Sequence, residues 1–209
     1  VTTDQLASVF TREIEVGIEG TGIKAGVIKV ATSEEGVTPA NEKVLRAAAR
    51  ASNQTGVPIS THTAALAQVG NDQIAIFEDE GVDLRRVCIG HSNDSDDLEY
   101  LAGLANKGCL LGMDHFPGGR AGGLNWEERV EVIRMLVDMG LADNISLSHD
   151  DALSFVGPSE EAAERLPSLS ARCVVVVSAL GPDGVVDLKF RLRAHSPWTR
   201  VFEAWSRHH

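Results

Sequence analysis

Between residues 25 and 150 the chain alternates two patterns of apolar and polar positions. Five short apolar runs, AGVIKVAT (25 to 32), PISTHT (58 to 63), VCIGH (87 to 91), GCLLGMDH (108 to 115) and NISLSHD (144 to 150), recur at intervals of roughly thirty residues. Between them lie NEKVLRAAARASNQTG, NDQIAIFEDEG, DSDDLEYLAGLANKG and NWEERVEVIRMLVDMG, whose apolar residues fall at helical spacing. Each of these segments ends in glycine, the residue favoured just past a helix C-terminus because it adopts a left-handed backbone without strain. Strand-sized runs alternating with helix-sized segments predict repeated β/α units on a parallel sheet.

The polar residues inside the runs are not scattered. Lys29, His62, His91, His115 and Asp150 all fall at or near the C-terminal end of a run, the edge at which parallel β/α folds gather ligands. In a strand, Lys29 shares its side with Val27 and Ala31, while Ile28 and Val30 face the other way. An ammonium inside a barrel is costly to desolvate unless paired. Two readings therefore stand open for Lys29: a side chain snorkelling to water, or a carbamate made by adding carbon dioxide to the amine, which carries two oxygens and can bridge metal ions.

The other candidates also have two readings each. His62 shares a face with Ser60, and imidazoles on successive strand ends suit zinc or a similar ion, although a single histidine there is more often a hydrogen-bonded structural residue. Asp150 can ligate a metal and accept a proton from bound water, or cap the next helix as Asp151 can. His149 alternates away from Asp150 and is expected to pack against a helix. Asp94 or Ser95 reads as a conventional helix N-cap. His115 precedes a loop rich in glycine (Gly118, Gly119, Gly122, Gly123) of the kind that covers active sites; Asp114 alternates with it, so one of the pair is expected to face the mouth.

Composition narrows the partners. With 209 residues, 43% hydrophobic and 23% charged, the chain is long enough for one substantial globular domain. A net charge of −11 would repel a phosphate backbone, which excludes nucleic acid. No apolar run reaches the length of a membrane span and no signal-peptide succession opens the chain, so no membrane partner is expected and the cytoplasm is the expected compartment. Cys88, Cys109 and Cys173 are too few and too dispersed for a disulfide framework and are expected to be small core residues. The chain begins on Val1 rather than Met, directly on a helical pattern, which points to a fragment. Composition changes near residue 165: thirteen basic and 27 acidic residues precede it, six and three follow. Two parts are expected, 1–165 and an atypical tail, 166–209, in which CVVVVSALGPDGVVDLKFRLRAH reads as strand, turn and strand.

Five motifs taken together, TGIKAGVIKVAT, GVPISTHTAA, VCIGHSNDSDDLEYL, GCLLGMDHFP and ISLSHDDALSF, resemble the phosphotriesterase family of the amidohydrolase superfamily, in its order and at comparable intervals from about residue 4 to about residue 157. The resemblance implies an α/β fold, the (β/α)8 TIM barrel, of which this chain holds strands four to eight. It implies two divalent metals, expected to be zinc, bridged by a carbamylated Lys29. His62 and His91 match the histidines of the more exposed metal, Asp150 matches the ligand of the more buried metal and of the bridging hydroxide, and Asp94 with His115 matches the pair that passes the proton on. His115 and Phe155 fall at substrate-facing positions, Phe155 where the family often places an aromatic in the leaving-group pocket. The H-x-H motif of the family's first strand does not occur ahead of Lys29, and only SPWTRVFEAW, with Ser196 in place of asparagine, resembles the closing segment. The expected activity is metal-dependent hydrolysis of phosphotriesters on a small-molecule substrate, for which DHFP after the fourth run speaks. The alternatives are a lactonase of the same family with promiscuous phosphotriesterase activity, and an inactive truncated paralogue or fragment. A homodimer is left open.

Overall fold

The computed structural model describes residues 1–18, 21–116 and 123–150, and the backbone of two strands within 172–193. Two compact units divide the chain, Val1–Glu19 with Lys24–Asp150, and Gly20–Ile23 with Asp151–His209.

The first unit carries helix α1 (Thr3–Glu15), then five strands with four α-helices between them: β1 (Ile28–Thr32), α2 (Pro39–Thr55), β2 (Ile59–Thr63), α3 (Gly70–Asp79), β3 (Val87–Ile89), α4 (Leu98–Asn106), β4 (Leu110–Met113), α5 (Trp126–Asp138) and β5 (Ile145–Leu147). The helices start where short polar side chains satisfy orphan amides. Thr2, Thr38 and Asn125 each form a reciprocal capping box, with Gln5, Asn41 and Glu128 respectively. Helix α2 also has Pro39 in its first turn and ends on Gly56 in the left-handed region at φ 78°. Helix α4 is capped by Asp97, whose side chain accepts from the Tyr100 amide. The cap expected at Asp94 or Ser95 therefore lies further on, because a 3-10 turn over Ser92–Asp94 intervenes.

All five strands are parallel and lie in sequence order, β1-β2-β3-β4-β5, with Ile28 opposite Ile59, Cys88 opposite Leu110 and Gly112 opposite Ser146. A sheet that never reverses its order is wound as a barrel wall is; a doubly wound sheet switches direction at a central crevice. Alternation sets the two faces. Ile28, Val30, Ile59, Val87, Ile89, Leu111 and Met113 are buried against Leu45, Ile74, Phe77, Leu101, Leu104, Val132 and Leu136 of the helices. Ala47, Ala48, Ala49 and Ala51 of α2 are fully buried; their small side chains allow a helix to lie close on its neighbours. Lys29 and Ala31 of β1, and His62 of β2, are exposed on the opposite face, as the alternation predicts. Cys109 is a core residue, and burial pushes its thiol up to about 12. Among the described residues no helix is long and apolar enough to cross a membrane.

The second unit contains an antiparallel hairpin, β6 (Arg172–Gly181) and β7 (Gly184–Arg193), with Gly181 opposite Gly184.

Candidate metal and proton-transfer site

Strand ends bring the candidate residues to one mouth by an abrupt device. Strand β3 stops at Ile89, and His91 sits in the left-handed region at φ 59°, a conformation that costs a non-glycine residue about 1–3 kcal/mol. That turn directs both the main-chain amide and the ring of His91 at one carboxylate. Asp114 Oδ1 accepts from the His91 amide at 2.8 Å and lies 2.9 Å from His91 Nδ1. An ionised carboxylate only accepts, so Nδ1 carries the proton and Nε2 presents its lone pair to the mouth. Burial raises the Asp114 carboxyl, but hydrogen bonds from His91 and the charges of His91 and His115 outweigh it and leave the net value lowered.

Two glycines make room for that carboxylate. A Cβ on Gly90 would stand 2.2 Å from the Thr61 carbonyl oxygen, and one on Gly112 would stand 2.9 Å from Asp114 Oδ2. Neither contact is sterically possible without displacing a neighbour, so glycine is required at both strand ends by close approach rather than by backbone freedom.

Three imidazoles meet here. His91 Nε2 lies 2.6 Å from His62 Nδ1, and the rings of His91 and His115 stack with centroids 4.0 Å apart. Burial, followed by the nearby charges of His91, Lys29 and His115, lowers the pKa of His62 and favours the neutral ring that ligates metals. His115 Nδ1 bonds Asp94 Oδ2 at 2.8 Å, and His115 Nε2 stands 3.5 Å from Asp150 Oδ2. Asp150, at φ 41°, is half exposed and lies 4.0 Å from His91 Nε2. His91, His115 and Asp150 each offer a ligand atom within 4.8 Å of the others. Lys29 extends from β1 beside them and donates from Nζ to the Thr61 carbonyl at 2.9 Å. Phe155 and Asp151 lie outside the described residues.

Asn93 and Arg129 escaped the sequence reading, and of Asp114 and His115 only one was expected to face the mouth. Both Asp114 and His115 reach the mouth because β4 ends at Met113, after which strand alternation no longer governs where side chains point. Arg129 is 1% exposed, the largest fully buried side chain among the described residues. Its signal was present in the sequence: it precedes Val132 by three and Leu136 by seven, on the apolar stripe of α5.

Residues 1–171 match the phosphotriesterase family model. This chain belongs to the phosphotriesterase family. Its five-stranded parallel sheet is part of the (β/α)8 barrel expected from the motifs. Among similar proteins, the phosphotriesterase homology protein of Mycobacterium tuberculosis is 42% identical over 205 residues, covering 95% of this chain and 61% of that protein. The aryldialkylphosphatase of Saccharolobus solfataricus is 41% identical over 147 residues, 70% of this chain and 46% of that one. The N-acetyltaurine hydrolase of Dictyostelium discoideum is 34% identical over 159 residues, 72% of this chain and 43% of that one. This phosphotriesterase-family chain thus spans between 43% and 61% of the length of these relatives.

Proposed function

We propose that this chain carries the ligand-holding and proton-transfer wall of a zinc-dependent hydrolase that acts on phosphotriesters. The observation that carries the reading is the run of contacts Asp150, His115, Asp94, which abuts a pair of imidazole nitrogens, His62 Nδ1 and His91 Nε2, turned toward each other. The donor chemistry fits a borderline-soft divalent ion: a neutral imidazole, a second imidazole backed by a carboxylate, and an aspartate. His62 and His91 would hold one ion, Asp150 the other, and Lys29 as a carbamate would lie between them. When bound, the metals supply a Lewis acid for the phosphoryl oxygen and a water of lowered pKa.

The remaining work falls to side chains. Asp150 accepts the proton of the attacking water and passes it to His115 Nε2. Asp94 holds the opposite nitrogen of that ring, fixing the tautomer and stabilising the imidazolium that results. Phe155 would pack against the leaving group. The kinship to an aryldialkylphosphatase at 41% identity, against 34% for an N-acetyltaurine hydrolase, supports an ester of phosphorus over an amide.

The test joins metal content and turnover. Protein purified with zinc or cobalt and bicarbonate should hold about two metals per chain by plasma mass spectrometry and release nitrophenolate from an aryl dialkyl phosphate. Metal-free protein without hydrolysis would overturn the proposal, and hydrolysis of N-acetyltaurine or a lactone alone would replace the substrate class.

A further inference from the structure

Arg129 stands apart from every other basic residue described. Arg46, Arg50, Arg85 and Arg134 pair with carboxylates at the surface, where such pairs contribute little. Burying a guanidinium carries a desolvation penalty of several kcal/mol that a leucine or methionine in the same space would avoid. A cation retained there has its donors committed. Arg129 Nε donates to the Leu124 carbonyl at 3.0 Å, Nη2 pairs with Asp94 Oδ1 at 2.9 Å, and Nη1 donates to the Asn93 carbonyl.

Two of the three accepting residues, Asn93 and Asp94, also bond His115. Asn93 Oδ1 accepts from the His115 amide at 3.1 Å, and Asp94 Oδ2 from its ring at 2.8 Å. Asp94 divides its oxygens, one to the guanidinium and one to the imidazole. A carboxylate that is 30% exposed and tied by the imidazole alone would be free to rotate toward water and release Nδ1. The guanidinium removes that freedom and holds the 3-10 turn over Ser92–Asp94 at the same time.

We infer that Arg129 is a positioning residue: it fixes Asp94 so that His115 stays in the Nδ1–H tautomer, with the Nε2 lone pair turned to Asp150. The inference deepens the hydrolase reading and depends on it only for the meaning of that lone pair. Lysine is no substitute, because one ammonium cannot reach three acceptors set in the planar fork of a guanidinium.

The test reads tautomers by nitrogen-15 NMR of the imidazoles in the full 209-residue chain, metal-free and at alkaline pH. Wild type should show Nδ1–H for both His91 and His115. Arg129→Lys should lose the His115 Nδ1–H resonance and populate Nε2–H, while His91, anchored separately on Asp114, keeps its own. An unchanged His115 signal in Arg129→Lys and in Arg129→Met would overturn the inference. So would loss of both signals in both variants, which would assign Arg129 to holding the fold. Neither metal nor turnover enters the measurement, so a failed hydrolase assay and a failed tautomer assay remain distinct results.

Discussion

Replacing Asp114 with alanine probes how His91 is held. Its Oδ1 takes two donors from one residue, the His91 amide at 2.8 Å and Nδ1 at 2.9 Å, and hydrogen bonds to a charged group contribute about 1.5–3 kcal/mol each. The Asp114 side chain is 17% exposed and His91 only 3%, so water can replace part of this pairing but not all of it. The left-handed backbone of His91 also loses its restraint. Asp114→Ala should therefore lower stability by about 2–4 kcal/mol, read as a shift of the urea midpoint in metal-free protein. Zinc affinity should fall tenfold to a hundredfold, about 1.4–2.7 kcal/mol, as expected when the partner of a ligating histidine is removed; a competition titration with a chromophoric chelator measures it. Asp114→Asn keeps an acceptor without the charge and should fall between the two. A variant within about 0.5 kcal/mol of the parent, with unchanged zinc affinity, would refute the argument that this carboxylate orients His91.

Lys29→Ala should lose the bridged metal pair, and equal metal occupancy in variant and parent would exclude the carbamate. His115→Ala should depress turnover while metal content by mass spectrometry stays intact. Gly90→Ala drives a methyl to within 2.2 Å of the Thr61 carbonyl oxygen and should exceed the usual overpacking cost of about 1–3 kcal/mol, seen as a large drop in melting temperature. The Glu80 carboxyl is held below its ordinary range by hydrogen bonds from Arg50 and then Arg46, against burial. Its contribution is thus present above the unfolded glutamate range and fades as pH falls through the lowered value; Glu80→Gln should flatten the acid limb of stability against pH.

The β/α alternation was legible because periodicity and helix-stop glycines are local signals, and residues 28 to 147 follow them strand by strand. Lys29, His62, His91, His115 and Asp150 stood out because each lies where an apolar run ends. The support behind them was far less visible. Asp114 and Asp94 could not be assigned by alternation or by helix capping, since β4 ends at Met113 and a 3-10 turn at 92–94 precedes α4. Arg129 is 36 residues from the Asn93 carbonyl it meets, and only its position on an apolar helix stripe hinted at burial. Pairings between distant segments are made by the tertiary fold, and one-dimensional patterns do not carry them.

The order of the strands also bears on how the chain is made. Every strand from β2 to β5 pairs with the one just before it in sequence, so a segment leaving the ribosome finds its hydrogen-bonding partner already synthesised. Loop closure spans one helix at a time, which keeps the entropic cost of each step small. In such a sheet only one edge grows, so that during synthesis the strand most exposed to wrong pairing is always the newest.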